Sequence, residues 1–228
     1  MNTTLPWPHG RRRSPPQSSA RSVWRSWRSW PARGAGRKGG IELLWKLTAT
    51  GSAQRKVLDT LWEIAARNRN TAQMRAISKL RMKADPRSLE ARNNFACLSL
   101  LIRSTEGGIH EIADALYKEA PDNPDVVATY AFSLYRREKP AEAISAMQKL
   151  KPEQLREPPV ARYLGIFLAA AGHGEEAGES LSLGEKGFIL PEETALISEA
   201  KVRALATPKP RPRAGPVFGQ PGNQATGK

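Results

Sequence analysis

The chain of 228 residues contains a single cysteine, Cys97, and three histidines. One cysteine excludes an intramolecular disulfide framework and any cysteine-based zinc cluster. The most apolar stretch, Tyr163 to Gly172, is ten residues long, about half the length a membrane-spanning helix needs. Strand-type alternation and turn dipeptides are scarce, which argues against a sandwich or barrel. Acids are missing from both ends. Residues 1–41 hold nine basic residues and no acid, and 206–228 hold four basic residues and no acid. All 22 acids and the other 23 basic residues lie in 42–205, so the formal charge of +14 describes the ends. The body is nearly neutral.

Composition makes both ends expected disordered segments. Residues 1–40 are dominated by Arg, Ser, Pro, Gly and Trp, and 207–228 contain five prolines and four glycines. Such segments have too little to bury to offset the entropy of ordering. Boundaries near 50 and 205 follow, giving a basic N-terminal segment 1–50, a helical domain 51–205 and a basic tail 206–228. No apolar run follows Arg11–Arg13, so secretion is not expected and a cytoplasmic location is. Trp24, Trp27 and Trp30 alternate with arginines in a pattern an interfacial amphipathic segment would share. A plain solvated tail explains the same residues.

From residue 53 onward the apolar residues fall at helical spacing. Leu58, Leu61, Trp62 and Ala65 form one stripe, and Val127, Tyr130, Ala131 and Leu134 another. Asp85-Pro86 and Asn123-Pro124 pair a capping side chain with a proline at the first helical position. Pro140 and Pro191 suit helix starts, and Gly172 suits a C-terminal cap. The expected class is all-α, with antiparallel helix pairs joined by short loops.

The pairs repeat. Tyr130-Ala131 with Ala143 recurs as Leu164-Gly165 with Ala177 at an offset of 34, and Phe95-Ala96 precedes Tyr130-Ala131 by 35. A small residue on each helix lets two backbones approach, and the large one beside it fills the gap to the next pair. In these features residues 86–205 resemble the tetratricopeptide repeat family, with 53–84 as a degenerate leading pair. The departures are an extended loop at Ser104–Gly108, Ser99 where Leu134 and Leu168 stand elsewhere, and Trp62 where a small residue belongs. A generic α-hairpin stack competes with this assignment. The last helix, about 191–205, is expected to cap the stack with its charges in solvent.

Catalytic constellations are not evident. His9, His110 and His173 have no partner at metal-ligand spacing, Cys97 sits beside a packing seam, and Glu175-Glu176 and Glu192-Glu193 suit helix starts. No enzyme activity, metal or cofactor is expected.

The family resemblance implies a superhelix whose concave groove, lined by the first helix of each pair, holds a peptide or a partner's helix. The matching inward positions are Glu90, Asn93, Cys97, Leu100, Asp125, Ala128, Phe132, Tyr135, Arg136, Arg162 and Ile166. Asn93, Phe132, Tyr135, Arg136 and Arg162 are the candidate partner-binding residues: aromatics supply contact area, and arginines a forked donor. The expected partner is a protein or peptide rather than a small-molecule substrate. The alternative is electrostatic binding of nucleic acid or anionic membrane through the termini. Self-association through an apolar end of the stack is a third possibility.

Overall fold

A computed structural model describes residues 38–49 and 55–206. The expectations for the termini, including the Trp24–Trp30 pattern and His9, concern residues outside those described. Among the described residues there are eleven helices and no strand. They are α1 (Lys38–Ala49), α2 (Arg55–Arg67), α3 (Thr71–Ala84), α4 (Leu89–Leu101), α5 (Ile109–Glu119) and α6 (Pro124–Arg136). Then follow α7 (Pro140–Met147), α8 (Pro152–Leu155), α9 (Pro158–Ala170), α10 (Gly174–Gly184) and α11 (Pro191–Ala206).

Helices pack as neighbours, α2 on α3, α4 on α5, α6 on α7 and α9 on α10. The first helices of successive pairs also touch in order, α4 with α6, α6 with α9 and α9 with α11. The small residues at the expected seams are in place. Ala96, Ala113, Ala131, Ala143 and Ala177 are fully buried. A Cβ on Gly165 would lie 2.9 Å from the backbone nitrogen of Leu181, so α9 and α10 approach to a distance only glycine permits. In α2 the fully buried small residue is Ala65, while Trp62 is half-buried with the Arg81 guanidinium 5.0 Å above its ring.

The ends of the first helices repeat as well. Arg69, Arg103, Glu138 and Gly172 all have positive φ, and the steps between them are 34, 35 and 34 residues. Each closes its helix with paired hydrogen bonds, as where Gly172 N–H donates to Ala169 O and His173 N–H to Leu168 O. Glycine was expected at such a cap, yet three of the four positions carry Arg or Glu. The period therefore sits in backbone geometry as well as in side-chain size.

The remaining differences from expectation are local. α1 occupies 38–49, ahead of the boundary placed near 50. Ile41, Leu44 and Trp45 pack against the core, and Thr48 Oγ1 donates to Trp45 O. Asp85-Pro86 does not open a helix. Asp85 ends α3, Ser88 caps α4 by accepting from Ala91 N–H, and Asp85 Oδ1 accepts from Arg87 N–H in a turn between them. Asn123-Pro124 opens α6 as expected, with Asn123 Oδ1 accepting from Asp125 and Val126 N–H. The extended loop is held by Glu106, whose carboxylate accepts from both Arg75 and Lys79 of α3.

Candidate functional site

The segment 185–197 packs against the first helix of the last pair, α9. α11 begins at Pro191 with Glu193 in its first turn, and Glu193 Oε2 accepts from Leu190 N–H at 2.8 Å, one half of a capping box. The same carboxylate is fully buried. Its Oε1 accepts from Arg162 Nη1 and from the Tyr163 hydroxyl, each at 3.0 Å. Arg162 donates further from Nε to Gly184 O at 3.1 Å and from Nη2 to Phe188 O at 2.9 Å. Thr71 Oγ1 of α3 donates to Glu192, and the Arg69 guanidinium lies 5.8 Å from the Phe188 ring centre. The start of the last helix thus meets the leading pair across the first helices.

This corrects two expectations. Glu193 is not a solvent-facing charge of a terminal cap, because its carboxylate is the acceptor for three donors in the interior. Arg162 is not a groove residue open to a partner, since its guanidinium is spent on Glu193 and two carbonyls. Phe132 is likewise fully buried, with its ring centre 4.9 Å from Tyr163, 6.2 Å from Tyr135 and 6.5 Å from Phe167. Ile166 is buried beside it. Cys97 Sγ sits 3.7 Å from the Tyr163 hydroxyl, and burial pushes its thiol up to about 11. A thiol held protonated is a poor nucleophile. Burial also raises the Tyr163 hydroxyl.

Among the described residues a cleft lies at each end of the first helices. At the C-terminal ends a cleft of about 780 Å³ is lined by Tyr135, Arg136, Arg103 and Arg203 together with His110, Glu106, Glu111 and Glu138. Arg136 stacks 4.8 Å from the centre of the Phe132 ring and donates to Leu100 O and Leu101 O. Its charge is disfavoured by burial and then by Arg103 nearby. Arg103 is exposed. His110 Nδ1 lies 2.8 Å from Ser133 Oγ, so it is a structural contact of α5 with α6.

At the N-terminal ends a cleft of about 320 Å³ is lined by Glu90, Asn93, Asn94, Asp125 and Tyr163, with exposed Arg55 at its rim. Asp125 is pushed up from 3.8 to about 6 by burial first, then by Glu157 and Glu90. Asn93 is buried and its Oδ1 has no hydrogen-bond partner, and neither has Asn94 Nδ2.

The five candidates therefore separate. Arg162 and Phe132 belong to the core, Tyr135 and Arg136 to one cleft, and Asn93 to the other. Asn94, Arg103 and Tyr163 were not among them. Asn94 could have been found from the sequence, because Glu90, Asn93, Asn94 and Cys97 stand at i, i+3, i+4 and i+7. Among the described residues no cluster of three or more His, Cys, Asp or Glu could hold a metal ion, and no helix is long and apolar enough to cross a membrane. No protein-family model, curated protein or solved structure matches the chain.

Proposed function

We propose that this protein is a non-enzymatic adaptor of tetratricopeptide-like helix pairs, which binds an acidic segment of a partner protein at the C-terminal ends of its first helices. The observation that carries this is the larger cleft, where Arg103, Arg136 and Arg203 converge beside Tyr135. Arginine is suited to carboxylates because its planar fork matches them bidentately, and an adjacent aromatic supplies contact area. Three acids also line this cleft: Glu106 is already neutralised by Lys79 and Arg75, which hold its carboxyl below the usual range, while Glu111 and Glu138 are exposed. The middle of the first helices is filled by the chain itself, so the partner segment engages an end of the repeat rather than its whole inner length.

Panning a random peptide library against the full chain tests this. Enriched peptides should be rich in Asp and Glu, and Arg103→Glu should weaken them at least tenfold while leaving stability within about 0.5 kcal/mol. Enrichment without acids, or affinity unchanged by Arg103→Glu, overturns it. A second reading rests on the concentration of thirteen basic residues and no acid in 1–41 and 206–228. On that reading the termini bind nucleic acid or anionic membrane, and binding falls steeply between low and physiological salt.

A further inference from the structure

The cleft at the N-terminal ends of α4, α6 and α9 is a different site from the one invoked above and stands or falls without it. Its wall on α4 is the stripe Glu90, Asn93, Asn94 and Cys97. α4 is buried on several sides, with Ala91, Phe95, Ala96, Leu98 and Leu101 all in the core. Glu90 is exposed, but Asn93 is buried and Asn94 and Cys97 are half-buried, so the rest of this polar stripe is not a solvent face. It must be satisfied by the protein or by something else.

Most other buried polar side chains among the described residues are satisfied, although Arg92 Nε, one residue before Asn93, is not. Thr71, Ser78, Ser99, Ser133, Arg162 and Glu193 each have a hydrogen-bond partner. Asn93, only 8 % exposed, leaves Oδ1 without one, and Asn94 leaves Nδ2 without one in the next residue. An unmade buried hydrogen bond destabilises the folded chain, so two in one helical turn need a reason. The charges point the same way. Asp125 faces this space from α6 with Glu90 and Glu157 near enough to oppose its ionisation. First-turn acids are ordinarily explained by the helix dipole, which favours negative charge at an N-terminus. That explanation accounts for Glu90 and Asp125 singly but not for a half-buried carboxylate crowded by two others beside two amides that each leave one atom unpartnered.

The cleft has a definite chemistry. Its reachable acceptors are the Asp125 and Glu90 carboxylates, with exposed Arg55 at the rim; Asn93 Oδ1 and Asn94 Nδ2 lie beneath the surface and meet a ligand when their side chains turn outward. Tyr163 on the floor is already committed to Glu193, and Cys97 is a neutral thiol. We propose that this cleft binds an alkyl-guanidinium or alkyl-ammonium group, accepted by Asp125 and Asn93, with Asn94 donating to a carbonyl of the same ligand. An arginine or lysine residue in a peptide carries both features, a cationic head and a backbone carbonyl. A free polyamine carries only the first.

The test follows the side-chain amide resonances of Asn93 and Asn94 in the 15N-labelled full chain. Four probes are titrated at physiological salt: acetyl-Ala-Arg-Ala-amide, its lysine and citrulline counterparts, and spermidine. The arginine or lysine peptide should move both amides saturably, citrulline should not, and Asp125→Asn should weaken binding at least tenfold. Movement by spermidine with no response to either peptide keeps the site and assigns it to a free polyamine. No response to any cation, an equal response to citrulline, or an unchanged affinity in Asp125→Asn overturns the proposal. Arg103→Glu, at the other cleft, should leave these titrations unaltered.

Discussion

Two polar groups of residues lie within the first helices, and they meet at Tyr163. One is Arg162 with Glu193, a buried pair in which every described donor has found an acceptor: Glu193 takes three hydrogen bonds, and Arg162 gives to it and to two carbonyls. The other is Asn93, Asn94 and Asp125, in which buried atoms go without partners and the carboxylate is held against its tendency to ionise. The same fold builds both. A buried charge with a complete shell explains itself as architecture. A buried polar group with an incomplete shell is a cost to stability that the fold itself does not offset, and such costs gather at binding sites. The contrast can be broken by substitution, and its two halves should respond with opposite sign.

The largest response belongs to the satisfied half. Glu193→Ala removes the acceptor for Arg162, Tyr163 and Leu190 N–H at once and leaves a guanidinium buried. A loss of about 4 kcal/mol in denaturant unfolding is expected. Replacing both members, Arg162→Met with Glu193→Leu, should recover at least half of that, since the penalty comes chiefly from the unpaired charge. Equal losses in the single and double variants would mean that packing, not charge pairing, holds the last helix to α9.

Next in size is the backbone that supports the pair. A Cβ on Gly184 would lie 2.5 Å from Arg162 Cα and 2.7 Å from its backbone nitrogen. Neither atom is the far end of a flexible side chain, so Gly184→Ala must push α10 away from α9. The expected cost is about 3 kcal/mol from overpacking. Gly178, in the same helix, has nothing within 4 Å of its hypothetical Cβ, and Gly178→Ala should gain about 0.8 kcal/mol from helix propensity. If both substitutions stabilise, the close approach at Gly184 is not what positions Arg162.

How much of this was legible follows from range. Helix spacing, the paired small residues and the Asn123-Pro124 start are local signals, and the structure has them where the sequence implied. α1 was legible too, because Ile41, Leu44, Trp45 and Thr48 keep helical spacing, but the acid-free composition before them argued for disorder. Asp85-Pro86 misled because Ser88, three residues on, is the better cap once Asp85 turns back onto Arg87. The fate of Arg162 was not legible at all. Its partner is 31 residues away in a helix whose acids look like a solvent face, and an open inner surface hides that. The cleft at the N-terminal ends was half legible: Glu90, Asn93 and Asp125 were placed inward by the repeat. Only the fold shows that, among the described residues, Asn93 Oδ1 and Asn94 Nδ2 have no hydrogen-bond partner.

A change of smaller size belongs to Asp125. Its folded-state value of about 6 lies above the ordinary 3.8, so the folded chain holds this proton more tightly than the unfolded chain does. Ionisation therefore works against folding. The penalty is complete above pH 6 and is relieved as pH falls from about 6 to about 4. Asp125→Asn removes it, less the helix-dipole benefit of a first-turn acid, for a net gain of about 2 kcal/mol at pH 8. Below pH 4 the variant should have no advantage. Unfolding curves across that range check the sign. A destabilised Asp125→Asn at pH 8 would mean the carboxylate has a structural partner, and the contrast between the two polar groups would collapse.

The smallest expected effect discriminates most directly between the two halves. Asn93→Leu exchanges an unpartnered amide for an apolar group of similar size in a site that is already buried. No hydrogen bond of Asn93 Oδ1 is lost, and the desolvation cost of its oxygen disappears. A gain of about 1 kcal/mol is expected, together with loss of binding by the arginine or lysine peptide. In the satisfied half any comparable exchange of a single residue costs several times that amount with the opposite sign, because the partner left behind is a buried charge. A residue whose removal stabilises the free protein while abolishing a ligand's binding is held there for the ligand. A loss of 2 kcal/mol or more in Asn93→Leu, a threshold set by about one hydrogen bond to a charged group, would instead make Asn93 part of the architecture, as Glu193 is.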